Sequence, residues 1–118
     1  MWLFSKNGFF SIVEHKDDHN LLLVRSRVKG DIEGCWPVRE KEGLGSDYRF
    51  RAPIRRSDVA DRVSQIVQDI NYPDFKASVE DERRLSWYFQ VWDVMARMQD
   101  QLQAEEAYGG EEESRRTR

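Results

Sequence analysis

The chain has one cysteine, two histidines, three prolines and no apolar run longer than four residues among its 118 residues. A single Cys excludes an internal disulfide framework and a thiolate zinc cage. Two His without a third remote ligand give no footing to a catalytic zinc, which needs three protein ligands. Apolar runs this short cannot span a bilayer, and the opening Met-Trp-Leu-Phe lacks the basic and long apolar regions of a secretory leader. A soluble, cytoplasmic protein is the expectation. There is no Gly-rich phosphate loop and no Gly-x-Ser-x-Gly elbow, so phosphoryl-transfer and serine-hydrolase schemes have no anchor.

Aromatic residues and charge are plentiful. Four Trp, four Tyr and six Phe argue for a folded chain, and 35% charged residues argue for a well-solvated surface. Mean hydropathy is −0.80. This length suits one domain that buries roughly two-thirds of its unfolded surface, so a core forms without metal or disulfide staples. The net charge of −3 is unevenly spread: residues 1–56 carry 11 Lys+Arg against 8 Asp+Glu, and residues 57–118 carry 8 against 14. That asymmetry has two readings: helices carrying acids and strands carrying Arg for solubility, or one basic and one acidic surface that steer a partner.

Hydropathy patterning predicts the elements. Trp2–Phe4 and Phe9–Val13 read as strand, with Asn7-Gly8 marking either a hairpin or a kink in one bent strand. Residues 14–20 form a polar turn, and Leu21–Val28 returns as an antiparallel strand. A short helix fits Asp31 to Trp36 between Gly30 and Pro37. Asp47–Ala52 alternates as a further strand that Pro53 ends or places at an edge. Ser57 is the expected N-cap of a helix whose Val59, Val63, Ile66, Val67 and Ile70 form one stripe, stopped by Pro73. Phe75 is expected to reach the core. A last helix is predicted over about 83–107, ended by Gly109-Gly110, with residues 109–118 a disordered charged tail. The fold class is therefore α+β: a small antiparallel sheet of three or four strands with two C-terminal helices, in ββ(α)βαα order, as a single domain over residues 1–108.

Candidate sites follow from parity. Arg25 and Arg27 share one face of their strand, and Arg49 and Arg51 share one face of theirs. Neighbouring strands would line up four guanidiniums, with Arg55 and Arg56 beyond, able to grip phosphates or carboxylates. An RNA-binding sheet also needs aromatics on that face, and Tyr48 and Phe50 have the opposite parity. A solvated face, an acidic protein partner and a nucleic-acid backbone are the three readings. His15 and His19 lie in the polar turn, and Cys35 has no nearby base, so it reads as a small buried hydrophobe. No catalytic, metal or cofactor residue is assigned, and an enzyme is not expected.

The last helix is apolar on more than one side. Leu85, Tyr88, Phe89, Trp92, Met95 and Leu102 fall on one side, while Trp87, Val91 and Val94 form a second stripe. Either Trp87 packs under the 29–44 loop or the second stripe docks on a partner, another copy of the chain included.

The opening Met1-Trp2-Leu3-Phe4-Ser5-Lys6-Asn7-Gly8-Phe9-Phe10-Ser11 resembles a family of small bacterial and phage proteins of uncharacterised activity that begin Met-Trp-(Leu/Ile)-Phe-Thr-Lys-x-Gly-Phe-Phe-Ser. Leu23–Val28, Asp47-Tyr48-Arg49-Phe50, Tyr72-Pro73-Asp74-Phe75-Lys76 and Trp92-Asp93-Val94-Met95 fit it too, so the likeness covers most of residues 1–98. Ser5 departs from the family's Thr, and the Glu-rich tail lies outside it. The resemblance implies a shared surface of Lys6, Gly8, Arg25, Arg27, Asp47, Tyr48 and Lys76, and a phage or mobile-element setting in which a host-directed, anti-defence inhibitor fits. The functional expectation is a non-catalytic protein-interaction module using Lys6, Arg25, Arg27, Arg49, Arg51, Trp87 and Val91. The alternative is a nucleic-acid backbone binder on the Arg-lined sheet.

Overall fold

In the computed structural model, residues 1–43 and 45–116 are described, and the fold is α+β. Five strands, β1 (Trp2–Ser5), β2 (Gly8–Glu14), β3 (Leu21–Ser26), β4 (Lys41–Glu42) and β5 (Phe50–Arg55), form an antiparallel sheet in the order β1-β2-β3-β5-β4. The helices are α1 (Asp31–Cys35), α2 (Arg56–Gln68), α3 (Phe75–Ser78) and α4 (Glu82–Arg116). The chain divides into two compact units, Met1–Phe75 and Lys76–Arg118. Among the described residues no helix is long and apolar enough to cross a membrane.

In the first unit, Asn7-Gly8 belongs to a hairpin: Ser5 pairs with Gly8, leaving Lys6-Asn7 as the two-residue loop. Glycine is needed at 8 for space, since a Cβ there would lie 2.6 Å from the end of the Phe10 ring. That ring is fixed, 1% exposed and edge-on to Trp36 with centroids 5.2 Å apart. Phe10, Ile12, Val24, Phe50, Ala52 and Ile54 line one sheet face and pack on Ile32 and Trp36 of the α1 region and on Val59 of α2. Gly30, at φ 90°, makes the left-handed turn into α1 that a side chain would disfavour. The Trp36 indole N–H donates to the Asp58 carbonyl at 3.3 Å, tying the α1 loop to α2.

Several boundaries differ from the sequence expectation, each for a local reason. Pro53 lies inside β5, opposite Leu23, because β4 pairs only with Phe50 and Arg51 and the rest of β5 is an open edge on that side. Ser57 is not the N-cap of α2. The helix starts at Arg56, straight from β5, and the Arg56 backbone N–H is satisfied by the Asn20 carbonyl at 2.8 Å. Of the predicted α2 stripe, Val59 is buried and Val63 and Ile66 are half-buried, while Val67 and Ile70 are exposed. β4 has no counterpart in the expectation; two residues carry no periodicity to read.

In the second unit, Asp81 caps α4: its carboxylate accepts the Arg84 backbone N–H at 2.8 Å, as an N-cap acid does. The helix runs through Gly109-Gly110 to Arg116, where a tail was expected. Each Gly lowers helix stability by about 1 kcal/mol. No proline follows, however, and beyond the glycines Arg116 pairs with Glu112 one turn back at 3.2 Å. Arg115 and Arg116 also complement the helix dipole in the last turn. The expected extent of the tail at 117–118 lies outside the described residues.

Candidate functional site

The sheet's second face carries the arginines. Directly opposed residues of antiparallel strands project to the same side. The register links Trp2 to Ser11, Ser11 to Arg25, Arg25 to Arg51 and Arg51 to Lys41, a single row across all five strands. Two residues along, Phe4 opposes Phe9, and Arg27 and Arg49 continue that second row just past the ends of β3 and β5. One edge of the face is therefore aromatic and the other basic.

The aromatic edge is a cluster. Phe4 stacks on Phe9 at 4.4 Å between centroids, and Trp2 meets Phe9 edge-on at 6.2 Å. Trp2 is 69% exposed. On the basic side, Arg25 donates from Nη2 to the Ser11 hydroxyl at 2.7 Å. The Tyr48 ring lies 4.6 Å from the Arg25 guanidinium and 4.2 Å from that of Arg27. Arg27 also donates to the Asp47 carbonyl. Arg49 is neutralised, with Nε and Nη2 both 2.7 Å from a Glu42 carboxylate oxygen. Arg25, Arg27 and Arg51 pair with no carboxylate among the described residues, and the Nε–H groups of Arg25 and Arg51 are buried without a hydrogen-bond acceptor there.

The row expected from parity thus forms with one member occupied. Parity also placed Phe50 away from the arginines, and Phe50 is in the core. Tyr48 departs from that pattern: it precedes β5, so strand parity does not govern it, and its ring turns to Arg25 and Arg27. Trp2, Phe4, Phe9 and Ser11 escaped the sequence reading of this face. The hairpin turn at Lys6-Asn7 was the signal that could have placed them, because it fixes Trp2 opposite Ser11.

Lys6 lies apart from that face, at the hairpin tip. It lines a cavity of about 220 Å³ with Asp31, Cys35, Arg62, Asp69 and Tyr72. Cys35 is half-buried against the core, and burial pushes its thiol above the ordinary range, an effect the Arg62 guanidinium opposes. A thiol shifted upward is a poorer nucleophile at neutral pH. Neither histidine lines this cavity. His19 instead bonds Glu14 at 3.2 Å in the β2–β3 turn, where Arg56 also reaches Glu14 at 3.2 Å. His19 first and Arg56 second hold the Glu14 carboxyl below its usual value.

The second unit presents an apolar helix surface. Trp87 is 63% exposed and Val91 39%. Trp92, Val94, Met95, Met98 and Leu102 are each about half exposed. Val91, Met95, Met98 and Leu102 fall at i, i+4, i+7 and i+11, the spacing of a helix-pairing seam. The Phe89 and Trp92 rings lie 5.6 Å apart, with the Lys76 ammonium 4.9 and 4.3 Å from their centroids. Tyr88, by contrast, is buried.

Comparison with protein-family models, with curated proteins and with solved structures finds no match to this chain.

Proposed function

We propose that this protein is a non-catalytic interaction module whose docking surface is the apolar face of α4, and that the occupant of that face is α4 of a second copy. The observation that carries the reading is the half-exposed run from Trp87 to Leu102. The residues on the seam side, Trp87, Val91, Val94, Met95, Met98 and Leu102, are roughly half exposed and together offer on the order of 500–600 Å² on one face, while Phe89 and Trp92 lie toward the other side of the helix. That is the upper end of the roughly 300–600 Å² that the largest patch on a monomer reaches, a size that is often functional, and it falls short of the roughly 800 Å² per partner of a standard interface until the flanking charged residues are added.

Charge selects the orientation. Arg83 and Arg84 sit before the apolar run, while Glu105, Glu106 and Glu111, Glu112 and Glu113 follow it. Parallel pairing would bring the five glutamates of each copy together. Antiparallel pairing centred near Met95 sets Arg83 and Arg84 beside Glu105 and Glu106 of the other copy and opposes the two helix dipoles. The narrower reading, a phage-encoded inhibitor of a host system, draws on the sequence resemblance alone.

Sedimentation equilibrium on a charge-swap series tests this. Arg83→Glu with Arg84→Glu should weaken the dimer several-fold, and adding Glu105→Lys with Glu106→Lys should restore it. A chain that stays monomeric up to about 100 µM, a dissociation constant corresponding to roughly 5.5 kcal/mol of association, would overturn self-pairing. Failure of the second swap to rescue would overturn the antiparallel arrangement.

A further inference from the structure

The geometry points to a second binding surface, independent of α4: the outer sheet face of residues 1–75 as a platform for a short single-stranded stretch of nucleic acid. Three observations carry it. First, the register puts Trp2, Ser11, Arg25, Arg51 and Lys41 on one side in a single row. Second, the aromatic edge includes a tryptophan that is 69% exposed, and its face is a surface on which any base stacks. Third, Arg25 and Arg51 carry buried Nε–H donors that no acceptor satisfies among the described residues. Those Nε–H groups are closed to solvent and therefore to a ligand, but the two guanidiniums pair with no carboxylate among the described residues, which leaves their charge to an anion that meets the outer nitrogens.

The combination identifies the ligand class. A phosphate or carboxylate alone would engage the arginines and leave the aromatic edge unused. Tryptophan beside arginine also suits an acidic protein partner, and absence of single-strand binding would assign the face to that class instead. A nucleotide chain offers both chemistries at fixed separation, an anionic phosphodiester and a planar base. Strands lie about 4.8 Å apart, so Trp2 on β1 and Arg51 on β5 are separated by roughly 14 Å across the sheet. That width suits two or three nucleotides, the number an open sheet commonly stacks. The double helix fits poorly, because its bases are stacked on one another and closed to Trp2.

The overall acidity of the chain does not oppose this. Residues 1–75 carry twelve Lys+Arg and twelve Asp+Glu, so this unit is neutral. Four of its twelve cations, Arg25, Arg27, Lys41 and Arg51, stand on or beside this face, where Glu42 is taken up by Arg49, while Asp58, Asp61 and Asp69 are carried on and just after α2, which packs on the opposite face. Tyr48 holds the Arg25 and Arg27 guanidiniums against its ring, so less side-chain freedom is lost on binding than for solvated arginines.

Fluorescence anisotropy with labelled twelve-nucleotide oligo(U), oligo(dT) and a twelve-base-pair duplex tests the inference on the full chain. The expected result is saturable binding of the single strands at about 50 mM salt, weakening with a linear log–log salt dependence. Comparable affinity for both single strands assigns the surface to bases and phosphates in general; preference for oligo(U) assigns it to RNA, through the 2′-hydroxyl. Trp2→Ala should weaken binding by at least fivefold with little change in salt slope. Arg51→Gln should weaken it and make the slope shallower by about one. Arg25 and Arg51 are both half-buried, so thermal unfolding is the control for Arg51→Gln, and the exposed Trp2 keeps the test intact should that variant fail to fold. Absence of single-strand binding at 50 mM salt overturns the proposal. So does tighter binding of the duplex, or binding indifferent to both Trp2→Ala and Arg51→Gln.

Discussion

Residues 1–75 and α4 use apolar side chains in opposite ways. In the first unit a sheet face and two helices enclose Phe10, Ile32 and Val24 to within 1% exposure. In α4 the larger aromatics, Trp87 and Trp92, are 63% and 51% exposed. Both segments show clean apolar periodicity, so periodicity alone marks a face that wants cover without saying whether the same chain supplies it. A two-layer sheet unit can satisfy its own helices. A 35-residue helix, about 52 Å long at 1.5 Å per residue, outreaches any core that a chain of this size builds.

The comparison breaks most sharply at the core. Phe10→Ala should destabilise the protein by about 3–5 kcal/mol in chemical denaturation, through lost transfer energy and a cavity beside Trp36. Trp87→Ala, although it deletes a larger ring, should shift the unfolding of dilute protein by less than about 1 kcal/mol, because little of that ring is buried in one copy. A loss at Trp87 as large as at Phe10 would mean that α4 is stabilised within a single chain.

Gly8→Ala sharpens the account of the first unit. The added methyl would meet the Phe10 ring end at 2.6 Å, and a packed ring cannot yield freely, so a loss of about 1–3 kcal/mol is expected. Wild-type stability would show that the ring swings aside and that the hairpin tolerates a side chain there.

Much of this was legible in the residues and some was not. The α1 turn between Gly30 and Pro37 and the Val59, Val63 and Ile66 part of the α2 stripe rest on local chemistry that survives folding, while Asn7-Gly8 left a hairpin and a kink equally open and the two-residue loop falls at Lys6-Asn7. β4 did not show, because two residues, Lys41 and Glu42, have no period. Tyr48 was misplaced because parity holds only inside a strand, and β5 begins at Phe50. The platform residues Trp2, Phe4 and Phe9 were invisible as a group until the hairpin register set them on the arginine side. α4 continues past Gly109-Gly110, and the exposed Arg116–Glu112 pair beyond them is worth less than the two glycines cost, so local propensity gives no reason for the continuation.

The smallest effect is expected at the β2–β3 turn. Glu14 is held below its usual pKa by His19 and Arg56, so its contribution is present above the ordinary glutamate range and fades as pH falls through the lowered value. Glu14→Gln should therefore be slightly less stable than the parent at neutral pH, with the difference closing in acid. A Glu14 titration by carbon-detected NMR at or above the ordinary value would contradict the turn's geometry.

The most direct test of the contrast between the two regions is amide hydrogen exchange at two protein concentrations, one well below and one well above the dimer dissociation constant. The account predicts that amides of residues 87–102 become markedly more protected at the higher concentration, while those of β2, β3 and β5 are protected equally at both. Strong protection of 87–102 that does not change with concentration would contradict it, since α4 would then be covered by its own chain.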